Sequence, residues 1–154
     1  MIEINNLTTA VVDEDFLKKT AKIVIDGEKK KAIELSIALV GQERIKNLNK
    51  KYRGKNRATD VLSFSYDGSG DIVICLGEVK KNAKRFGTTF KKELATCLIH
   101  GILHLSGYDH EKEAKPRTRI NSVRGKKMEE KQQYYLSKIG EIGEGSGEPF
   151  GSPD

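Results

Sequence analysis

All three histidines of this 154-residue chain fall inside one short run, "HGILHLSGYDH" at residues 100–110. On a helix, residues four apart share a face, with Cβ atoms about 5–6 Å apart. His100 and His104 can therefore reach one metal ion at a Zn–N distance of about 2.0–2.1 Å. His110 is six residues further on, too far along a straight helix to join them. The helix must end and the chain must turn back. Gly107 stands where that turn is needed, since glycine takes positive φ at little cost. The spacing H-x3-H-x5-H thus predicts two ligands on a helix and a third from the returning turn. Three protein nitrogens leave a fourth position open for water or substrate, the arrangement of a catalytic zinc, one ion per chain. Cys97, one turn before His100, could add a ligand but reads better as a small buried residue on the apolar stripe.

The same spacing, with its helix and turn, occurs in metzincin proteases as H-E-x-x-H-x-x-G-x-x-H, where the glutamate is the general base. Here that position is Gly101. Peptide hydrolysis by that route lacks its base. No other residue is an obvious one, though Asp60 and Asp109 could each orient a ligand imidazole or cap a turn.

A second chemical signal is charge. The chain carries a net +6 with a pI near 9.2, which favours a polyanionic partner. Seven basic residues and no acidic one lie between Arg44 and Arg57. Such a block could track a nucleic-acid backbone, with affinity that falls steeply as salt rises. A further basic stretch, Lys112 to Lys127, contains Glu113 as its single acid. Tyr52 and Tyr108 could stack on bases or serve as packing.

These residues need a frame. "MIEINNL" predicts a first strand, and residues 13–26 predict a helix stopped by Gly27. "AIELSIALV" alternates Ile33, Leu35, Ile37 and Leu39 on one face, which is strand spacing. "QERIKNLNKKY" predicts a helix with Ile45, Leu48 and Tyr52 on its apolar side, followed by a basic, glycine-containing loop in which Arg53 falls. "VLSFSY" and "DIVICL" predict two strands joined by "DGSG". A short helix, "EVKKNAKRFG", precedes the histidine helix, for which Thr88 or Thr89 is the N-cap. Leu94, Cys97, Leu98, Ile102 and Leu105 give that helix a broad apolar stripe and a central place. A last helix is expected to end at Gly140. The class is α+β: a single domain over residues 1–140, with a small mixed sheet and helices packed on it. The tail from residue 141 to 154 is acidic, rich in Gly, Ser and Pro, and expected to lack stable structure.

Hydrophobic residues make up 36% and charged residues 32%, enough apolar side chain for one core. No apolar run approaches the roughly 20 residues that span a bilayer. The start shows no basic segment followed by an apolar one, and two cysteines set no disulfide framework. Both features predict a cytoplasmic protein with no membrane contact.

Taken with the histidine run, "LNKKYRGKNRATDVLSF" (48–64), "GDIVI" (70–74) and "KKELATCLIHGILHLSGYDHE" (91–111) closely resemble the YbeY family. Its members are bacterial metal-dependent endoribonucleases of ribosomal RNA maturation and ribosome quality control. The resemblance implies a zinc site at His100, His104 and His110 and a catalytic arginine at Arg53, in "YRG". It also implies a partner-binding role for Asp71, in the "GD" turn, toward a ribosomal protein. The implied activity is single-strand-specific, zinc-dependent cleavage in late small-subunit processing, with ribosomal RNA and the small ribosomal subunit as partners. After "YDHE" the sequence departs from the family, with a basic, proline-containing stretch over residues 114–125. Two other readings stay open: a non-catalytic assembly factor with a structural zinc, and a hydrolase acting on another substrate.

Overall fold

The computed structural model of the protein describes residues 1–30, 32–107 and 123–145. The elements run β1 (Ile2–Asn6), α1 (Glu14–Gly27), β2 (Glu34–Val40), α2 (Gln42–Arg53), β3 (Val61–Tyr66), β4 (Ser69–Cys75), α3 (Leu76–Phe86), α4 (Phe90–Leu105) and α5 (Val123–Gly145). The four strands form one mixed sheet in the order β1-β2-β4-β3. β1, β2 and β4 are parallel neighbours, and β3 runs antiparallel to β4 on the outer edge.

Alternation decides the faces. Leu35, Ile37, Leu39, Ile72 and Ile74 point to a large core shared with α1, α4 and α5. Val40, Val73 and Cys75 point the other way, onto a smaller core with Ile45 of α2 and Leu62 of β3. A strand buried on both faces needs apolar residues at consecutive positions, which is why β4 reads "IVIC" rather than alternating. α4 packs against α1, α3, α5, β3 and β4, so the helix carrying the histidines is the central one. Thr89 caps it, its hydroxyl accepting from the Lys92 amide at 3.1 Å.

Three boundaries differ from the sequence reading. Gly27 is the last helical residue of α1 rather than the stop beyond it, and the Tyr135 ring lies where its Cβ would be. Arg53 is the last residue of α2, not part of the loop that follows. The final helix continues past Gly140 to Gly145. Of the stretch 114–125, residues 114–122 lie outside the described residues, and 123–125 open α5. α5 is fastened to α1 through Glu28, whose carboxylate accepts from Tyr135 at 2.6 Å and from Lys131 at 2.9 Å.

Candidate active site

His100 and His104 sit in the last turns of α4 with their rings 4.5 Å apart, centroid to centroid, and 76° between planes. Their Nε2 atoms approach to 2.9 Å. Two nitrogens on one tetrahedral zinc, each about 2.0–2.1 Å from it, lie about 3.3 Å apart. The pair therefore fits a shared cation with only a small opening of the rings. On the far side of His100, Nδ1 meets Gln132 Oε1 of α5 at 3.1 Å. With the Gln132 amide oxygen as acceptor, this contact suits the tautomer protonated at Nδ1, which leaves the Nε2 lone pair for the site.

Helix α4 ends at Leu105, and the Gly107 amide donates to the His104 carbonyl at 3.1 Å. Gly107 has φ +99°, a value that a side chain with a Cβ rarely adopts. Gly107 thus has the positive φ expected of it just beyond the end of α4. Tyr108, Asp109 and His110 lie outside the described residues.

Gly101 has a separate reason. A Cβ built there would lie 3.1 Å from Ile72 Cγ2 and from Ser63 Oγ. The Ser63 hydroxyl donates to the Gly101 carbonyl at 3.2 Å, so helix and edge strand touch at this point. Any side chain here, including the glutamate that a metzincin carries, would require Ile72 and Ser63 to give by a few tenths of an ångström.

Beyond the histidines a groove of about 1130 Å³ runs along β3, lined among others by Arg53, Lys55, Arg57, Asp71, His100 and His104. It brings Arg53 and Asp71 together with the two histidines, whereas Cys97 and the basic residues from Arg44 to Lys51 do not line it. Arg53 reaches from the end of α2 to donate to the Ser63 carbonyl at 2.6 Å, and its guanidinium lies 5.2 Å over the Phe64 ring. Tyr52, expected on the apolar side of α2, is instead 55% exposed and meets the edge of Phe64 at 5.4 Å. The polar residue of α2 that is buried is Asn49, which donates to the Arg57 carbonyl at 3.0 Å and so ties down the basic loop. Asp71 is the third residue of β4 rather than part of a turn, paired with Phe64 across the antiparallel ladder. The pKa of the Tyr66 hydroxyl is raised, by desolvation first and by the Asp71 charge second.

Comparison with known proteins gives this geometry a family. A family model described as Endoribonuclease YbeY matches residues 3–140. The chain belongs to this family. A curated YbeY relative from Thermotoga maritima is 44% identical over 110 residues, covering 70% of this chain and 68% of its own length. One from Persephonella marina is 35% identical and covers 80% and 87%; one from Chlorobium luteolum is 32% identical and covers 90% and 97%. All three are named endoribonuclease. A solution structure of a Thermotoga maritima protein matches with a TM-score of 0.64 and 34% identity, over 95% of this chain and 93% of that one.

Within the YbeY fold seen here, Asp60, one candidate for orienting an imidazole, stands just before β3, where Asn82 of α3 and Cys97 of α4 reach it. Its carboxylate accepts from Asn82 at 3.2 Å and from the Cys97 thiol at 3.6 Å. Asp109, the other candidate, lies outside the described residues. The partner of His100 Nδ1 is Gln132, which sequence reasoning missed. A signal existed: Met128, Tyr135, Leu136 and Ile139 form the buried stripe of α5, and Gln132 is the polar residue at helical spacing among them. Glu93 was missed for the same reason, being an acid only 9% exposed beside the apolar stripe of α4. Among the described residues no helix is long and apolar enough to cross a membrane.

Proposed function

We propose that this chain is a single-strand-specific, zinc-dependent endoribonuclease acting on ribosomal RNA in late small-subunit maturation and ribosome quality control, in the cytoplasm. The observation that carries the reading is the shared groove: two converging imidazoles at one end and Arg53, Lys55 and Arg57 along the same wall. His100, His104 and His110 would hold one zinc ion. That ion would supply a Lewis acid that polarises a phosphoryl oxygen and makes water more acidic.

The rest is work for the protein's own groups. Gln132 keeps the His100 imidazole turned with Nε2 toward the groove. Arg53 has one donor committed to Ser63, which fixes the plane of its guanidinium; the remaining donors are free to take a phosphate in a forked pair of hydrogen bonds. Lys55 and Arg57 hold the flanking backbone, a contact that depends on salt. Tyr52 and Tyr66, both more than half exposed at the groove, offer faces on which unpaired bases can stack. Duplex RNA cannot present its bases that way, which accounts for a single-strand preference. Asp71 is the proposed contact to a ribosomal protein of the small subunit.

The test is a small-subunit precursor RNA incubated with zinc-loaded, metal-stripped and His104→Ala protein, with every cut mapped. Cleavage is expected from the zinc-loaded wild type alone. Tight RNA binding without any cut by the zinc-loaded protein would favour the assembly-factor reading instead.

A further inference from the structure

At the start of β3, one turn of α4 before His100, three groups that can each lose a proton converge. One ligand atom each from Asp60, Glu93 and Cys97 lies within 4.8 Å of the other two. Glu93 and Cys97 are four apart on α4 and so share a face; Asp60 comes from the segment just before β3. Asp60 is partly satisfied, by Asn82, by the Cys97 thiol and by the Thr59 hydroxyl at 3.5 Å. Glu93 is not. It is 9% exposed, and no hydrogen bond or ion pair to its carboxylate is found among the described residues.

A carboxylate without a protein partner that keeps only slight solvent contact is costly, and a second one beside it raises the cost further. Burial, then the Asp60 charge, pushes the Glu93 carboxyl pKa upward. Burial, then Asp60 and Glu93, pushes the Cys97 thiol well above its ordinary range. What the cluster lacks is positive charge. A proton could supply it, but the thiol then offers Asp60 only a weak hydrogen bond. A thiolate between two carboxylates is instead a good ligand set for a cation of borderline softness in four-coordinate geometry. Asp60 also lines the groove, so an ion and its fourth ligand, a water, have a way in.

We propose that Asp60, Glu93 and Cys97 form a second divalent-cation site, separate from the histidine centre and suited to zinc. Its direct effect is to tie the start of β3 to α4 and so hold the groove wall in place. Because the thiol must lose its proton to bind, affinity at this site rises with pH. The proposal does not rest on the RNA-cleavage reading.

Cobalt(II) is the probe, because a thiolate on cobalt gives an intense near-ultraviolet charge-transfer band that imidazole and carboxylate ligands do not. Metal-stripped full-length wild type, His104→Ala, Cys97→Ala, Glu93→Gln and Asp60→Asn are each titrated with it. The band is expected in the wild type and in His104→Ala, and is expected to vanish in Cys97→Ala. Glu93→Gln and Asp60→Asn keep the thiol and nearly the same shape, so they remain informative if Cys97→Ala fails to fold. Each is expected to raise the cobalt midpoint at least tenfold. Absence of the band in wild type overturns the site, and so does a midpoint that neither amide variant moves. A band lost in His104→Ala also overturns it, because Cys97 would then complete the histidine centre. A band that survives in Cys97→Ala belongs to Cys75 and overturns it equally.

Discussion

Replacing Gln132 with alanine removes a contact that reaches His100 from outside its own helix. The amide oxygen lies 3.1 Å from Nδ1, and the backbone that carries it is held by buried Met128 and Leu136 on either side. The Glu28 contacts to Lys131 and Tyr135 flank it as well. Truncating Gln132 therefore leaves α5 docked, and alanine is the better helix former by a few tenths of a kcal/mol. What is lost is the fixed tautomer and ring angle of His100. Outer partners of this kind are worth about 10- to 100-fold in metal affinity, or about 1.4–2.7 kcal/mol. Gln132→Ala should thus weaken zinc by that factor in a chelator-competition titration, with an unchanged urea midpoint for the metal-free protein. Gln132→Glu keeps an acceptor at the same reach and should hold or improve affinity. In nitrogen NMR of labelled histidine, the wild type should show His100 protonated at Nδ1, and Gln132→Ala a mixture. If Gln132→Ala binds zinc as tightly as wild type while folding normally, the orienting role is wrong and the contact only helps to dock α5.

The remaining expectations concern the groove and its supports. Gly101→Ala gains about 1 kcal/mol of helix propensity but presses on buried Ile72 and the bonded Ser63 hydroxyl, an overpacking that costs about 1–3 kcal/mol. Melting should fall by about 2–4 °C for each kcal/mol lost, and a variant as stable as wild type would show that the sheet yields. Gly107→Val, at φ +99°, should weaken zinc binding although residue 107 donates nothing to the metal; equal affinity would mean that the third ligand needs no such turn. Arg53→Ala should leave zinc content unchanged and sharply lower cleavage of saturating RNA, with a small loss of stability from the vacated Ser63 carbonyl. Arg53→Lys should restore little of the rate, since a point charge lacks the fork, and a wild-type rate in Arg53→Ala would make the loop a binding surface only. Glu93 has its pKa raised in the folded protein, so it holds its proton to higher pH than the unfolded chain does, and stability falls as pH rises from about 4.3 through the folded value. Metal-free Glu93→Gln should lose that decline and be the more stable protein at neutral pH in urea melts, whereas parallel pH curves would refute the assignment.

Local pattern made much of this fold readable. The Leu35–Ile37–Leu39 alternation, the broad stripe of α4 and the Thr89 cap all describe chain neighbours, and each appears where expected. Errors arose where the outcome depends on what lies opposite. Helical spacing placed Tyr52 on the apolar side of α2, but it cannot tell the middle of that side from its rim. Tyr52 takes the rim, against Phe64 at the groove, while Asn49 goes inside because the Arg57 carbonyl needs its amide. Gly140 likewise looked like a stop, yet a glycine ends a helix only when the chain turns to positive φ, and here α5 simply continues.

The site divides along the same line. Two ligand positions four apart and a glycine beyond them are properties of one helix and its end, so a single stretch of sequence displays them. The groove is different, because three separate segments must meet to make it. β3 lies antiparallel at the sheet edge, which sets Ser63 under Gly101 on one side and within reach of Arg53 on the other. One serine thus contacts both the histidine helix and the arginine, its hydroxyl to the first and its carbonyl to the second. Nothing in "VLSFSY" announces this, since a serine in a strand next to a phenylalanine is ordinary. Its consequence is that one residue of an edge strand helps to set the spacing between the imidazole helix and the guanidinium. A bulkier side chain at position 101 or a lost carbonyl contact at 63 would alter that spacing without touching a ligand. Changes of this kind, rather than changes to the histidines, are where cleavage and metal binding should come apart.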